Sequence, residues 1–275
     1  MKKVLIAFDG TNFSAGAFDF VRRLNTLEPI MLTGAFMPSV HYTNIWNYGA
    51  AVGTAAVFIP DVLNDDPDLT SENIGRFKLL CEKNSIKYRV HEDFYDFTLP
   101  ELKKESRFAD LLVLSGQAFF KGLEEHEQFD YLRQAVHASE CPVVIVPENF
   151  EFPDNNVLAY DGSDESVYAL KQFAYLFPEF TNNRTLLVYA EEEMQRTIPS
   201  KDLIIELATQ HFSDLELYKL ELDPKRYFNI WMRGRMGAIL VTGSFSRSAI
   251  SQLFRKSFVA DILRDHRVPV FIAHR

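Results

Sequence analysis

Cysteine is scarce: the 275 residues contain two, Cys81 and Cys141, and neither stands in a metal-binding or redox spacing. That count excludes a disulfide-stapled scaffold and predicts a reducing, cytoplasmic setting. Positive charge is also in deficit. Lysine and arginine total 29 against 38 aspartate and glutamate, a formal charge of −9, so no general attraction to nucleic acid or to an anionic membrane is expected. Long apolar runs are missing. After Met1-Lys2-Lys3 only Val4 to Phe8 are apolar before Asp9, too short for a secretory leader and far too short for a membrane span. No Gly-x-Gly-x-x-Gly follows a strand pattern, and Gly-x4-Gly-Lys-Ser/Thr is absent, so dinucleotide-binding and P-loop folds lack their fingerprint. Metal spacing is absent too. His126, among Glu124, Glu125 and Glu127, has no second histidine four residues on, and it reads as a solvated acidic helix face. His91, beside Glu92 and Asp93, reads the same way.

What the chain does have is apolar bulk and a repeat. Hydrophobic residues make up 47 % of it, with 24 Phe and 11 Tyr that read as core filler. Val4-Leu5-Ile6-Ala7-Phe8-Asp9-Gly10-Thr11 recurs as Asn156-Val157-Leu158-Ala159-Tyr160-Asp161-Gly162-Ser163, a spacing of 152 residues from Asp9 to Asp161. An apolar run ends at Asp-Gly-Ser/Thr both times. A helical period follows in each copy, on Ala17, Val21 and Leu24 and on Val167, Leu170, Phe173, Ala174 and Phe177. Further on, Ala109 to Gly116 matches the segment ending at Gly243, and Glu140-Cys141-Pro142-Val143-Val144-Ile145-Val146 matches Arg267 to Ala273. Gly116 to Gly243 and Pro142 to Pro269 share one spacing, 127 residues. The first copy therefore carries the extra length, placed near 39–69, where His41 to Pro60 contains no charged residue other than its histidine. Residues 147–155 read as the linker, which gives domains at 1–148 and 154–275.

Each copy alternates strand and helix. Strands are expected near 3–8, 30–36, 86–91, 110–115 and 142–146, then near 156–160, 184–190, 214–221, 237–242 and 268–273, with a short third helix in each copy. Near-continuous apolar strands suit a parallel sheet covered on both faces. The reading is α/β: two tandem doubly wound domains, each a five-stranded parallel sheet with helices on both faces. Ligands in such sheets bind beyond the carboxyl ends of the strands, where strand order reverses. Asp9-Gly10 and Gly116 fall there in copy one, and Asp161-Gly162 and Gly243 in copy two.

A first strand ending in Asp-Gly-Ser, a fourth ending in a glycine-containing loop and a fifth opening with Cys-Pro-Val or Val-Pro-Val resemble the universal stress proteins, in their tandem two-domain form. The resemblance runs over nearly the whole chain. It implies a Rossmann-like fold of the adenine nucleotide alpha hydrolase-like kind, an intramolecular pseudo-dimer of the two halves and, for some members, ATP with Mg²⁺. In those members the nucleotide lies against the first-strand Asp, the end of the second strand and a G-x2-G-x9-G-[S/T] loop. Glycines let backbone N–H groups approach phosphate, and the closing Ser or Thr sits at a helix N-terminus. Carried onto copy two, the implied site is Asp161, Gly162, Val188, Gly243, Ser244, Ser246 and Ser257. The loop departs from the pattern, because Ser246 and Lys256 replace two of its glycines, while Arg247, Arg255 and Lys256 add positive charge. Copy one departs further: it keeps Gly116, but Phe119 stands for the second glycine and Phe129-Asp130 for Gly-Ser. A carboxylate at Asp130 would repel phosphate by roughly 4 kcal/mol at ~4 Å and an effective dielectric of 20. Any nucleotide is therefore assigned to copy two.

Cys141 reads as a buried structural thiol, and Arg233 and Arg235 as an exposed turn around Gly234. Asp9 and Asp161 have no evident acid, nucleophile or metal partner, so they read as turn-forming residues that bond nearby N–H groups. The leading functional expectation is a stress-response protein without catalytic activity. It would act through unidentified protein partners, with at most one degenerate nucleotide site in copy two. Two alternatives stay open: an ATP-binding sensor using the copy-two loop, and a nucleotide hydrolase or transferase holding metal-bound phosphate near Asp161. A further homodimer, through an exposed apolar sheet edge, is also left open.

Overall fold

The computed structural model describes residues 1–9, 12–37, 67–92, 98–116, 125–191, 197–221, 228, 230–232, 234–243 and 268–274. Ten strands lie close to the expected bounds: β1 (Lys3–Asp9), β2 (Met31–Met37), β3 (Lys87–His91), β4 (Leu111–Ser115) and β5 (Val143–Val146) in the first half. In the second half are β6 (Asn155–Ala159), β7 (Arg184–Glu191), β8 (Asp214–Glu221), β9 (Ala238–Gly243) and β10 (Val270–Ala273). The helices are α1 (Ala15–Leu27), α2 (Pro67–Lys83), α3 (Thr98–Ser106), α4 (Glu125–Ala138), α5 (Asp164–Leu176) and α6 (Lys201–His211). Residues 67–69, counted with the insertion in the sequence, begin α2; residues 38–66 lie outside the described residues. Among the described residues no helix is long and apolar enough to cross a membrane.

The strands form one sheet in the order β3-β2-β1-β4-β5-β10-β9-β6-β7-β8. Two five-stranded sheets were expected; each half does supply five strands in the doubly wound order, but the two sets join edge to edge. Within each half neighbours run parallel, with Val4 opposite Leu32 and Leu111, and Val157 opposite Leu186 and Leu240. At the seam β5 and β10 run antiparallel, pairing Val143 with Ile272, Val144 with Phe271 and Ile145 with Val270. All six of these side chains are buried. Two apolar strands without charge would each be an aggregation-prone edge if left unpaired, and pairing them with each other removes both edges.

Apolar side chains alternate onto the two faces. Ile6, Phe8, Val144, Leu158 and Phe271 join one core with α1, α2, α5 and α6, while Leu5, Leu112, Ile145, Val157 and Ile272 join the other with α3 and α4. The phenylalanines fill the first core as expected. Phe8, Phe36 and Phe77 cluster in one half and Phe173, Phe177, Phe180 and Phe271 in the other. The linker joins the two groups. Phe152 packs its ring 5.8 Å from Phe20 on α1, tilted, and 5.7 Å from Phe180 in the second half, edge to face.

Candidate functional site

The carboxyl ends of β6 and β9 are neighbours, and α5 starts between them. Asp161 and Gly162 follow β6. The Asp161 carboxylate accepts from Ser163 N at 2.9 Å and from Ser163 Oγ at 2.5 Å. Ser163 Oγ in turn accepts from Ser166 N at 3.1 Å and caps α5. This is the turn-forming role read from the sequence, in which the short side chain holds its own strand-to-helix corner. Gly162 has φ +84°, a left-handed conformation that disfavours any side chain. A Cβ there would also lie 2.7 Å from Cβ of Pro199. Residues 198–200 are thus laid over the corner, and the Tyr160 hydroxyl fastens them by donating to Pro199 O at 2.7 Å.

Gly243 closes β9 beside the same helix start. A Cβ at Gly243 would stand 2.6 Å from the carbonyl carbon of Glu165, so only glycine lets the strand end approach the first turn of α5. Asp161, Gly162 and Gly243 therefore converge. The Val188 side chain is buried in the core on the α3–α4 face and pairs with Ala159, while its carbonyl accepts from Tyr160 N at 2.9 Å, one residue before Asp161, and β7 runs on to Glu191. Ser244, Ser246 and Ser257 lie outside the described residues, as do Arg247, Arg255 and Lys256. Among the described residues the helix start is acidic, with Asp164 and Glu165 in its first turn and Asp161 just before it.

Copy one builds the same corner differently. Its helix begins at Ala15 with Ser14 as cap, so the turn after Asp9 is three residues longer than the turn after Asp161. Over the helix start lies the carboxylate of Glu148, from just beyond β5. It accepts from Ser115 Oγ at the end of β4 at 2.9 Å, from Gly16 N at 3.1 Å and from Ser14 Oγ. Ser14 and Ser115 are each 1 % exposed. The sequence did not single out Glu148. Its signal was the 127-residue spacing, which sets Glu148 against Arg275, an acid against a base. Gly10, Phe119 and the side chains of Phe129 and Asp130 are outside the described residues, so the proposed Asp130 obstruction is as well.

The remaining candidates fall into place as structure. Cys81 and Cys141 are buried, and burial pushes their thiols up to about 12 and about 11. His91 differs from its sequence reading. Its Nδ1 lies 2.8 Å from Glu105 Oε2, a part-buried pairing rather than a solvated face. Arg235 differs too, because its guanidinium lies 3.4 Å over the Trp231 ring and Nη1 donates to Trp231 O, so it is packed rather than free at a turn. Among the described residues no group of three His, Cys, Asp or Glu could hold a metal ion.

No protein-family model matches the chain, and no curated protein sequence matches it. Solved structures do. A universal stress protein from Archaeoglobus fulgidus DSM 4304 superposes over the whole chain and 96 % of its own length, with a TM-score of 0.67 at 15 % identity. The chain has the universal stress protein fold. A protein of unknown function from Pseudomonas aeruginosa PAO1 shares that fold at TM-score 0.52 and 8 % identity, over the whole chain and 92 % of its own. A provisionally assigned universal stress protein from Pseudomonas aeruginosa UCBPP-PA14 does so at 0.51 and 9 %, over the whole chain and 93 % of its own. At these identities the likeness is one of fold.

Proposed function

We propose that the chain is a cytoplasmic stress-response protein of the universal stress type that works by binding protein partners and not by catalysis. The carrying observation is the closed corner of copy two. Asp161 directs its carboxylate to Ser163, Pro199 sits on Gly162, and Asp164 and Glu165 make the helix start acidic. A general base must turn its carboxylate to a substrate proton, whereas Asp161 Oδ1 is engaged by Ser163 N and Oγ; a phosphate needs donors without competing carboxylates, and among the described residues the helix start carries Asp164 and Glu165. Isothermal titration with ATP and Mg²⁺, with a parallel turnover assay, tests the reading. No saturable site tighter than about 0.1 mM, equivalent to roughly 5 kcal/mol, and no phosphate release are expected.

The second reading is an ATP sensor, favoured by Gly243, Ser246 and Ser257 standing among Arg247, Arg255 and Lys256 in the sequence. One tight site per chain, abolished by Gly243→Val, would replace the first reading with this one. Phosphate release that Asp161→Asn removes would instead favour the hydrolase.

A further inference from the structure

Among the described residues nothing neutralises Arg235. Its guanidinium carbon lies 3.4 Å over the Trp231 ring, and Nη1 donates to Trp231 O at 3.2 Å. Nε is buried, with no hydrogen-bond partner among the described residues. None of their carboxylates forms an ion pair with it, and Glu216 of β8 is taken by Arg184 of β7 at 3.1 Å. Burial holds the guanidinium below its ordinary range, Tyr218 opposes that shift and the like charge of Arg184 adds to it. Desolvating a charge costs free energy that an opposite charge ordinarily returns. The chain has 38 acidic residues against 29 basic ones, so composition does not explain the missing partner.

The surroundings of this cation are apolar. Trp231 packs 6.0 Å from the Tyr218 ring and 5.5 Å from the Phe228 ring. Tyr218 is 40 % exposed, and Ile230 and Met236, the chain neighbours of Trp231 and Arg235, are 56 % and 52 % exposed. Tyr218 stands on β8, the last strand of the sheet, and Arg235 precedes β9 at the end opposite Gly243. The patch is therefore separate from the corner of copy two and from the seam between the halves.

We propose that this face docks an acidic segment of a protein partner, with Arg235 receiving a carboxylate and Tyr218, Ile230 and Met236 contacting the apolar side chains that flank it. Charge complementarity selects that occupant. A basic segment would add positive charge beside Arg184 and Arg235, and a purely apolar one would desolvate the guanidinium further and return nothing. Trp231 holds the planar fork of Arg235 in place, so less side-chain freedom is lost on binding. Arginine and aromatic residues are also the side chains on which protein interfaces most often concentrate their affinity. The assignment rests on the partner-binding reading above and narrows it to one face.

The probe is a short synthetic peptide, blocked at both ends, in which one aspartate is flanked by leucine and phenylalanine; its twin carries asparagine instead. Trp46→Phe leaves Trp231 as the single indole of the chain, and its emission reports the titration. A saturable change with the aspartate peptide is expected, with a midpoint at about 1 mM or below, and about tenfold weaker binding of the twin. Arg235→Gln should reduce the aspartate peptide to the level of the twin, and added salt should weaken it only while Arg235 is present. Equal responses to the two peptides, or a response to neither, would overturn the proposal without any change at Arg235. Full affinity in Arg235→Gln would overturn it as well. Failure of this test removes the face and leaves the partner-binding reading standing, whereas that reading falls only to the ATP and turnover results.

Discussion

Gly16 sets two physical effects against each other. It is the second residue of α1, where alanine is intrinsically the better helix former by about 1 kcal/mol. Propensity alone therefore makes Gly16→Ala stabilising. Packing reverses the sign, since the new methyl would meet Pro147 O at 2.5 Å, and backbone cannot yield as a flexible side chain does. Overpacking of this kind costs about 1–3 kcal/mol, so a net loss of roughly 1–2 kcal/mol is expected in urea unfolding. An increase in stability would mean that the 147–148 segment is not seated on α1. Gly34 carries the same logic against a softer neighbour. A Cβ there would face the Phe77 ring at 2.8 Å, and Phe77 is buried in the aromatic core.

Elements were legible in the sequence where one force decided them. The central strands β1, β4, β5, β9 and β10 are near-continuous apolar runs, and burial on both faces leaves such runs few alternatives, whereas the edge strands β3 and β8 alternate exposed and part-buried residues. Helix starts were less legible. Thr11 and Ser163 occupy matching places in the repeat, yet α1 is capped by Ser14 and α5 by Ser163. Any Ser, Thr or Asp can cap, so the choice falls to the length of the turn that the strand end requires. The candidate site was half legible for a related reason. Asp161, Gly162 and Gly243 are fixed by backbone geometry, which a motif records. Pro199 and Glu148 reach their corners from distant segments, and no local pattern encodes that approach. The cap itself makes a prediction. Ser163 links Asp161 to Ser166 N, so Ser163→Ala removes both bonds and should cost about 1–2 kcal/mol, measured by thermal unfolding. A change below about 0.3 kcal/mol would show that the Asp161 turn holds α5 without it.

At the scale of the whole molecule the two halves meet along β5 and β10, and two histidines flank that seam. His137 is on α4 of the first half, His274 follows β10 of the second, and their ring centroids are 6.3 Å apart. Burial lowers the pKa of both; for His137 the charges of His274 and Arg133 lower it further, while for His274 a bond with the Ser139 backbone opposes the shift. His274 Nδ1 is buried, with no hydrogen-bond partner among the described residues. The sign of the pH effect follows from those directions. Above the unfolded value of about 6.5, folded and unfolded chains both carry neutral rings and the pair contributes nothing. As pH falls through 6.5 the unfolded chain takes up protons that the folded seam resists, and stability declines until the lowered folded values are reached. The carboxylates held low by partners act in a separate window. Asp19, Glu28 and Glu140 contribute stability above their ordinary values near 4 and lose it only below them. Among the described residues, His137 and His274 are thus the groups whose shifts matter between pH 7 and 5.5. The native chain should lose a few degrees of melting temperature over that interval, and His137→Gln with His274→Gln should flatten the slope by removing both titrations. The exposed edge of His137 makes its share the smaller, so His274→Gln alone should flatten more than His137→Gln alone. Equal slopes in the native chain and the double variant would place the acid-sensitive group elsewhere and leave the seam indifferent to pH.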